Sequence, residues 1–263
     1  MLRYCSLFSG SSGNCTYVGT ADGGILVDAG VSAKRITEAL AQRDIPPSSV
    51  KAVLVTHEHS DHVAGLRVLC KKYGWPVLAS VGTLDALTEG DKVAASQRLY
   101  VLSPGKAVGI YGLRISPFST PHDSRECLGF RIEGENRSLA LATDIGYMTD
   151  EIRAALTGCQ LVHIESNHDP VMLRNGPYPF YLQQRILGDG GHLSNDACAA
   201  VLPGLVASGT TRLVLAHLSR QNNTPQLAAD TATQALAAAG AVVGRDCLLE
   251  VAQPEGTKPV TYF

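Results

Sequence analysis

The sequence predicts an α/β fold, one large domain or two small ones, and a sandwich of two similar βα halves would suit it. Three observations predict it. Short apolar runs alternate with helical patterns from end to end, and no linker or low-complexity tract interrupts them. The 263 residues are 45% hydrophobic, enough to bury a full core. "KAVLVTH" (51–57) is also echoed by "TRLVLAH" (211–217), each an apolar run that ends on a histidine, as two related halves would give.

Each element follows from local pattern. Strands are expected at 2–8, 15–19, 24–28, 50–56, 113–119, 128–133, 138–143, 160–164 and 212–216, where β-branched and aliphatic residues run together between turn residues. Helices are expected to begin near Ser32, Asp61, Val81, Thr149, Ser194 and Thr224. The helix from Asp61 to about Tyr73 places Val63, Leu66, Leu69, Cys70 and Tyr73 on one face. In the last helix Thr224 caps, Pro225 fits the first turn and Gly240 ends it, with Leu227, Thr231, Leu236 and Ala239 as the buried stripe. Residues 174–193, rich in Gly, Pro and aromatics, read as a structured loop beside the core.

Composition narrows the function. The net charge is −2, so no global basic field is available and a nucleic acid would be held by local patches. The seven cysteines are odd in number, scattered and never spaced as CxxC, which argues against a disulfide framework and a thiolate zinc site. No secretory pattern and no membrane-length apolar run is present, so the expectation is a cytoplasmic protein with no membrane partner.

"THEHSDH" (56–62) carries the chemistry. If the chain stays extended past the strand, His57, His59 and Asp61 point the same way, and His62 enters the next helix. A strand end and a helix N-terminus thus share one spot, which suits an anionic substrate. One segment rarely closes a metal site alone. His122, Asp144 and His217 each stand just past an apolar strand, where open sheets gather their functional loops. Seven ligands exceed the roughly four that one zinc takes. They suit two divalent ions bridged by a carboxylate, and imidazole with carboxylate admits manganese, zinc or iron.

This set resembles the metallo-β-lactamase superfamily, an αββα sandwich of dinuclear hydrolases, over nearly the whole chain, which implies a single domain spanning residues 1–263. By motif order the resemblance implies that His57, His59 and His122 hold one metal, that Asp61, His62 and His217 hold the other, and that Asp144 bridges. Asp144 stands where the superfamily's true β-lactamases generally carry Cys, which argues against an antibiotic-degrading role.

Six further stretches, "SGSSGN", "TPHD", "TDIGY", "ESNHD", "GHLSN" and "HLSRQNN", resemble the YycJ/WalJ-type exonuclease branch. That resemblance implies a 5′→3′ double-stranded DNA exonuclease that uses a metal-bound hydroxide, with a role in repair and DNA ahead of RNA as its partner. The rival readings are a thioester or lactone hydrolase and an RNA-processing nuclease. Asp61, His192 and Glu165 are the expected catalytic residues, with His192 protonating the leaving oxygen and Glu165 orienting it.

Substrate contacts are expected from Ser12 and Asn14 in the "FSGSSGN" turn, whose N–H groups can face an anion, and from His168, Ser194, Arg220 and Asn222. Arg174, Arg185, Tyr178, Phe180 and Tyr181 offer charge and stacking surface for DNA. Asp123 is placed behind His122 or on an exposed turn, and Asp28 behind the first motif. His163, inside an apolar strand, reads as a satisfied core histidine.

Overall fold

Uninterrupted apolar runs mark strands covered on both faces. The computed structural model, which describes residues 1–256 and 258–263, shows that cover. The first half contributes β1 (Arg3–Phe8), β2 (Cys15–Thr20), β3 (Gly23–Val27), β4 (Val50–Leu54), β5 (Val77–Ala79) and β6 (Leu99–Val101). The second contributes β7 (Val108–Ile110), β8 (Leu113–Ser119), β9 (Leu128–Gly134), β10 (Arg137–Ala142), β11 (Leu161–Glu165), β12 (Arg212–Ala216) and β13 (Leu248–Val251). A short β14 (Thr261–Tyr262) returns to pair with β1.

Two mixed sheets result, ordered β14-β1-β2-β3-β4-β5-β6 and β13-β12-β11-β10-β9-β8-β7. In each, antiparallel strands lead into a parallel run, β3 to β6 in one and β10 to β13 in the other. The two-halves expectation therefore describes the architecture. The echoed heptapeptides do not mark equivalent places, because β4 is second in its parallel run and β12 is third in its own.

Helices close the outer faces. The first half supplies α1 (Ala33–Ala41), α2 (Ser60–Val63), α3 (Leu66–Tyr73) and α4 (Val81–Glu89). The second supplies α5 (Asp150–Leu156), α6 (Pro170–Asn175), α7 (Phe180–Leu187), α8 (Asn195–Ala199), α9 (Leu202–Ala207) and α10 (Pro225–Ala238). Ser32, Thr149, Ser194 and Thr224 each accept a first-turn N–H, which is why the helices start where the sequence places them. Ile36, Leu40, Leu66 and Leu69 pack on the first sheet, and Ile152, Leu202 and Leu236 pack on the second. Leu54, Ile115, Phe130 and Ile132 fill the layer between the sheets. This is the four-layer αββα sandwich.

All nine expected strands are present within a residue or two of their expected bounds. β5, β6, β7, β13 and β14 were not anticipated, because runs of two to four residues carry too little periodicity to register.

Three local expectations need correction. The helix of 61–73 is two helices broken at Gly65. Its N–H bonds Ala29 O at 2.8 Å, and a Cβ there would lie 2.3 Å from Val31 O, so the incoming loop interrupts the turn. The buried face of α10 is Ala228, Ala232 and Leu236, so Leu236 is buried as expected while the rest of the face lies one position round from the expected stripe. Alanines let α8 and α9 approach closely, while Leu227 and Thr231 are half-buried and Ala239 is exposed. Within 174–193 the chain forms α7, which buries none of its residues.

Candidate metal centre

Parallel strands bring their C-terminal ends together, and the candidate residues stand on those ends. Asp28 follows β3, His57 follows β4, Asp144 follows β10, Glu165 ends β11 and His217 follows β12. Asp28, Asp144 and His217 have φ of 63°, 58° and 55°. A non-glycine residue held there costs on the order of 1 kcal/mol. The left-handed kink turns each side chain out of the strand's alternation and across the sandwich mouth.

Loops press the first motif into place. Asn14 N donates to Asp61 O at 2.8 Å, and Gly30 N donates to Asn14 O at 2.8 Å. Gly30 is required by close approach, since a Cβ would stand 1.7 Å from Asp61 O.

The expected ligands converge. Ligand atoms of His57, His59 and His122 lie within 4.8 Å of one another, as do those of Asp61, His62 and His217, and those of His57, His62 and Asp144. Asp144 reaches both groups, with Oδ2 3.3 Å from His62 Nε2 and Oδ1 3.8 Å from His122 Nε2. Asp61 Oδ2 is 3.5 Å from Nε2 of both His62 and His217.

Four of the five candidate imidazoles, all but His59, are held from behind. His62 Nδ1 donates to Asp28 Oδ2 at 2.8 Å, His122 Nδ1 to Gly191 O at 3.1 Å, and His217 Nδ1 to Glu165 Oε1 at 2.8 Å. His57 Nδ1 is 3.0 Å from Thr56 Oγ1, which itself reaches Asp28. Such backing fixes the tautomer and turns Nε2 toward the centre. His57 Nε2, His217 Nε2 and Asp144 Oδ2 are buried with no hydrogen-bond partner. Orphaned acceptors this costly are what a cation satisfies, so the donor set fits divalent metal.

The charges point the same way. Burial opposes protonation of His217, but Asp144, Asp61 and Glu165 hold its pKa up at about 10. Burial likewise opposes His62, and Asp144 and Asp28 raise it well above the ordinary imidazole value. His57, crowded by desolvation and by His62, His122 and His59, is pushed well below it. The buried carboxylates favour positive charge at the cluster.

His192 stands beside the cluster, its ring 5.1 Å from His122 and 5.3 Å from His217. Its Nδ1 donates to Glu165 Oε1 at 2.9 Å. Burial lowers the pKa of His192, yet the carboxylates of Glu165 and Asp144 raise it overall. Asp123 joins the rim, 3.4 Å from His122 Nε2 and ion-paired with Arg185 of α7. His163 is a core residue, its Nδ1 2.6 Å from the buried Tyr4 hydroxyl.

The expected substrate contacts divide. Ser12 is exposed at the tip of the 8–14 turn and Arg220 is exposed beyond His217, with no ion pair among the described residues. Three others face inward. Asn14 spends its amide on Gly10 at 3.0 Å and on His62 Nε2 at 3.1 Å, so it braces the turn against a ligand. Ser194 Oγ caps α8 by accepting from Ala197 N. Asn222 is wholly buried; its backbone carbonyl accepts from Asp169 N at 2.8 Å and ties the 219–223 turn to α6, while its side-chain Oδ1 has no hydrogen-bond partner. His168 is 1% exposed, with neither ring nitrogen partnered. The residues that sequence reasoning missed are Ser11 and Ser219. With Asp123, Tyr178, Arg185 and His192 they line a cavity of about 150 Å3 at the site; both stand inside quoted motifs, "SGSSGN" and "HLSRQNN", from which only neighbouring residues were singled out.

The Beta-lactamase superfamily domain model matches residues 24–218. Exodeoxyribonuclease YycJ of Bacillus anthracis is 36% identical over 261 residues, covering 99% of both chains. Exodeoxyribonuclease WalJ of Streptococcus pneumoniae is 37% identical over 262 residues, covering 98% of this chain and 97% of that one. The structure is similar to Zn(2+)-bound PqqB from Methylobacterium extorquens, with TM-score 0.74, 19% identity, and coverage of 99% and 100%.

Proposed function

The chain belongs to the metallo-β-lactamase-fold hydrolases of the β-lactamase superfamily, in the branch of YycJ and WalJ, and from that premise we propose that it is a dinuclear metal-dependent phosphodiesterase digesting double-stranded DNA 5′→3′. His57, His59 and His122 would hold one divalent ion and Asp61, His62 and His217 the other, with Asp144 within reach of both groups. Manganese and zinc suit these donors, and iron is compatible with them. The observation that carries the reading is the converged seven-residue cluster with His192 beside it.

When bound, the ions polarise a water and the phosphodiester and offset charge on its non-bridging oxygens. The remaining work falls to protein groups. His192 holds a proton at Nε2 for the leaving 3′-oxygen, while Glu165 accepts at Nδ1 and stabilises the imidazolium. Glu165 also fixes His217, so one carboxylate keeps proton donor and metal ligand in register. Arg220 and Ser12 lie exposed where a phosphate backbone can approach. The aromatic residues of α7 supply stacking surface. We place the protein in the cytoplasm. Among the described residues, no helix is long and apolar enough to cross a membrane.

A substrate panel tests the reading: linear duplex DNA, single-stranded RNA, a glutathione thioester and a lactone, each with manganese or zinc. Duplex DNA is expected to give the highest kcat/KM. Turnover of the thioester or lactone without cleavage of either nucleic acid overturns it.

A further inference from the structure

A second concavity lies on the sandwich's side edge. It encloses about 560 Å3 between β6 and β7, the terminal strands of the two sheets. That size lies in the range of specific binding cavities, roughly 300–1,000 Å3. It shares no residue with the metal cluster. Ala52 and Leu78 of the inter-sheet core form its floor, and Tyr100, Tyr111, Lys51 and Arg98 stand around it.

Two features set this edge apart. First, its protection against pairing is the brevity of its three-residue strands, to which neither charge nor proline within them adds. β6 reads "LYV" and β7 reads "VGI", with no charge and no proline in either. Tyr100, Val101 and Tyr111 are 51%, 54% and 59% exposed. Arg98 O and Leu102 N bond to β5, so by alternation the N–H and C=O of Leu99 and Val101 point outward.

Second, the charge is of one sign. Lys51 and Arg98 line the cavity, no carboxylate does, and neither cation forms an ion pair among the described residues. Lys51 Nζ bonds Ser48 O and lies over the Tyr111 ring at 5.2 Å, while Arg98 bonds Gly74 O.

We propose that this cleft docks an extended acidic peptide of a partner protein, seating one apolar or aromatic side chain in the cavity, pairing its backbone with β6, and setting flanking carboxylates on Lys51 and Arg98. The free strand edge decides for a polypeptide over a nucleotide, since only an extended backbone uses outward N–H and C=O groups at strand spacing.

The test is selection of a randomised eight-residue peptide library on the full-length protein, followed by fluorescence anisotropy with the synthesised winner. Enriched sequences are expected to carry acidic residues around an apolar one. Lys51→Glu with Arg98→Glu is expected to weaken binding at least tenfold, as is Val101→Pro, which removes an outward N–H. DNA hydrolysis should be unchanged in both variants, which also shows that they fold. No enrichment, enrichment of basic sequences, or binding indifferent to these variants overturns the proposal. So does displacement of the peptide by adenosine monophosphate, or a dimer in solution that Val101→Pro dissolves.

Discussion

Glu165 Oε1 accepts from two histidines at once, His192 Nδ1 at 2.9 Å and His217 Nδ1 at 2.8 Å. Its Oε2 takes the N–H groups of Ile145 and Leu193 at 2.7 and 3.1 Å. Burial alone would raise its pKa, but His192 and His217 hold it well below the usual carboxylate range. One buried anion thereby couples a metal ligand to the group placed to move a proton.

Glu165→Gln keeps the shape and removes the charge. Metal affinity at the Asp61–His62–His217 site is expected to fall about 10- to 100-fold, the usual cost of losing a partner behind a ligand. The rate should fall as well, because His192 loses its counter-charge. Metal titration by calorimetry beside kcat measurement checks both effects. A variant that loses rate at unchanged metal affinity would confine Glu165 to His192.

His192→Ala tests proton transfer with the ligands untouched. The raised His192 pKa means that the donor form persists above the ordinary imidazole value, and the rate falls only as pH climbs through the raised value. The alanine variant should lose about 10²–10⁴-fold in kcat and lose that alkaline fall, at unchanged metal content. A pH–rate profile for each protein reads the difference.

Sensitivity to acid has a further source in the core behind the cluster, where burial first and His217 second lower the pKa of His163. His163 is pushed down to about 3 by burial, and as neutral imidazole it accepts from the Tyr4 hydroxyl. The unfolded histidine titrates near about 6.5. The fold therefore refuses a proton that the unfolded chain binds. Its stabilising share is full above about pH 6.5 and is lost as pH falls toward 3, at up to roughly 1.4 kcal/mol per unit. Urea unfolding at pH 7 and pH 5 should show a smaller pH-dependent loss for His163→Phe than for the wild type.

The exposed pair Phe180 and Tyr181, each 75% exposed at the start of α7, should act on binding more than on chemistry. Replacing either by alanine is expected to cost about 1–3 kcal/mol of DNA affinity, the usual worth of a base–aromatic stack. KM should rise with kcat nearly unchanged. Steady-state kinetics on a duplex separates the two, and a fall in kcat alone would move the pair out of substrate binding.

The long parallel strands and the seven-residue cluster were legible because both rest on strong local signals. A run such as "GGILV" has only one comfortable home, between two covered faces. "THEHSDH" and single His or Asp residues past strand ends fall together once those strands run parallel. The five unanticipated strands were too short to show a period. The inward turn of Asn14 and Asn222 depends on which loop packs behind them, a tertiary fact that a motif does not contain. The break at Gly65 is of the same kind, since Val31 O, from another loop, is what leaves no room there. α7 was hidden because it is only eight residues long between Gly- and Pro-rich turns, and its apolar pair Leu182 and Ile186 is no more than half-buried.

The central claim is that the cluster around Asp144 hydrolyses phosphodiesters from a 5′ end. The direct measurement is digestion of a 5′-phosphorylated linear duplex by the manganese- or zinc-loaded protein, beside Asp144→Ala. Release of nucleotides from the 5′ end by the wild type, with that release abolished in the variant, is the predicted result. An intact duplex with the metal-loaded wild type, or equal digestion by Asp144→Ala, would contradict the claim.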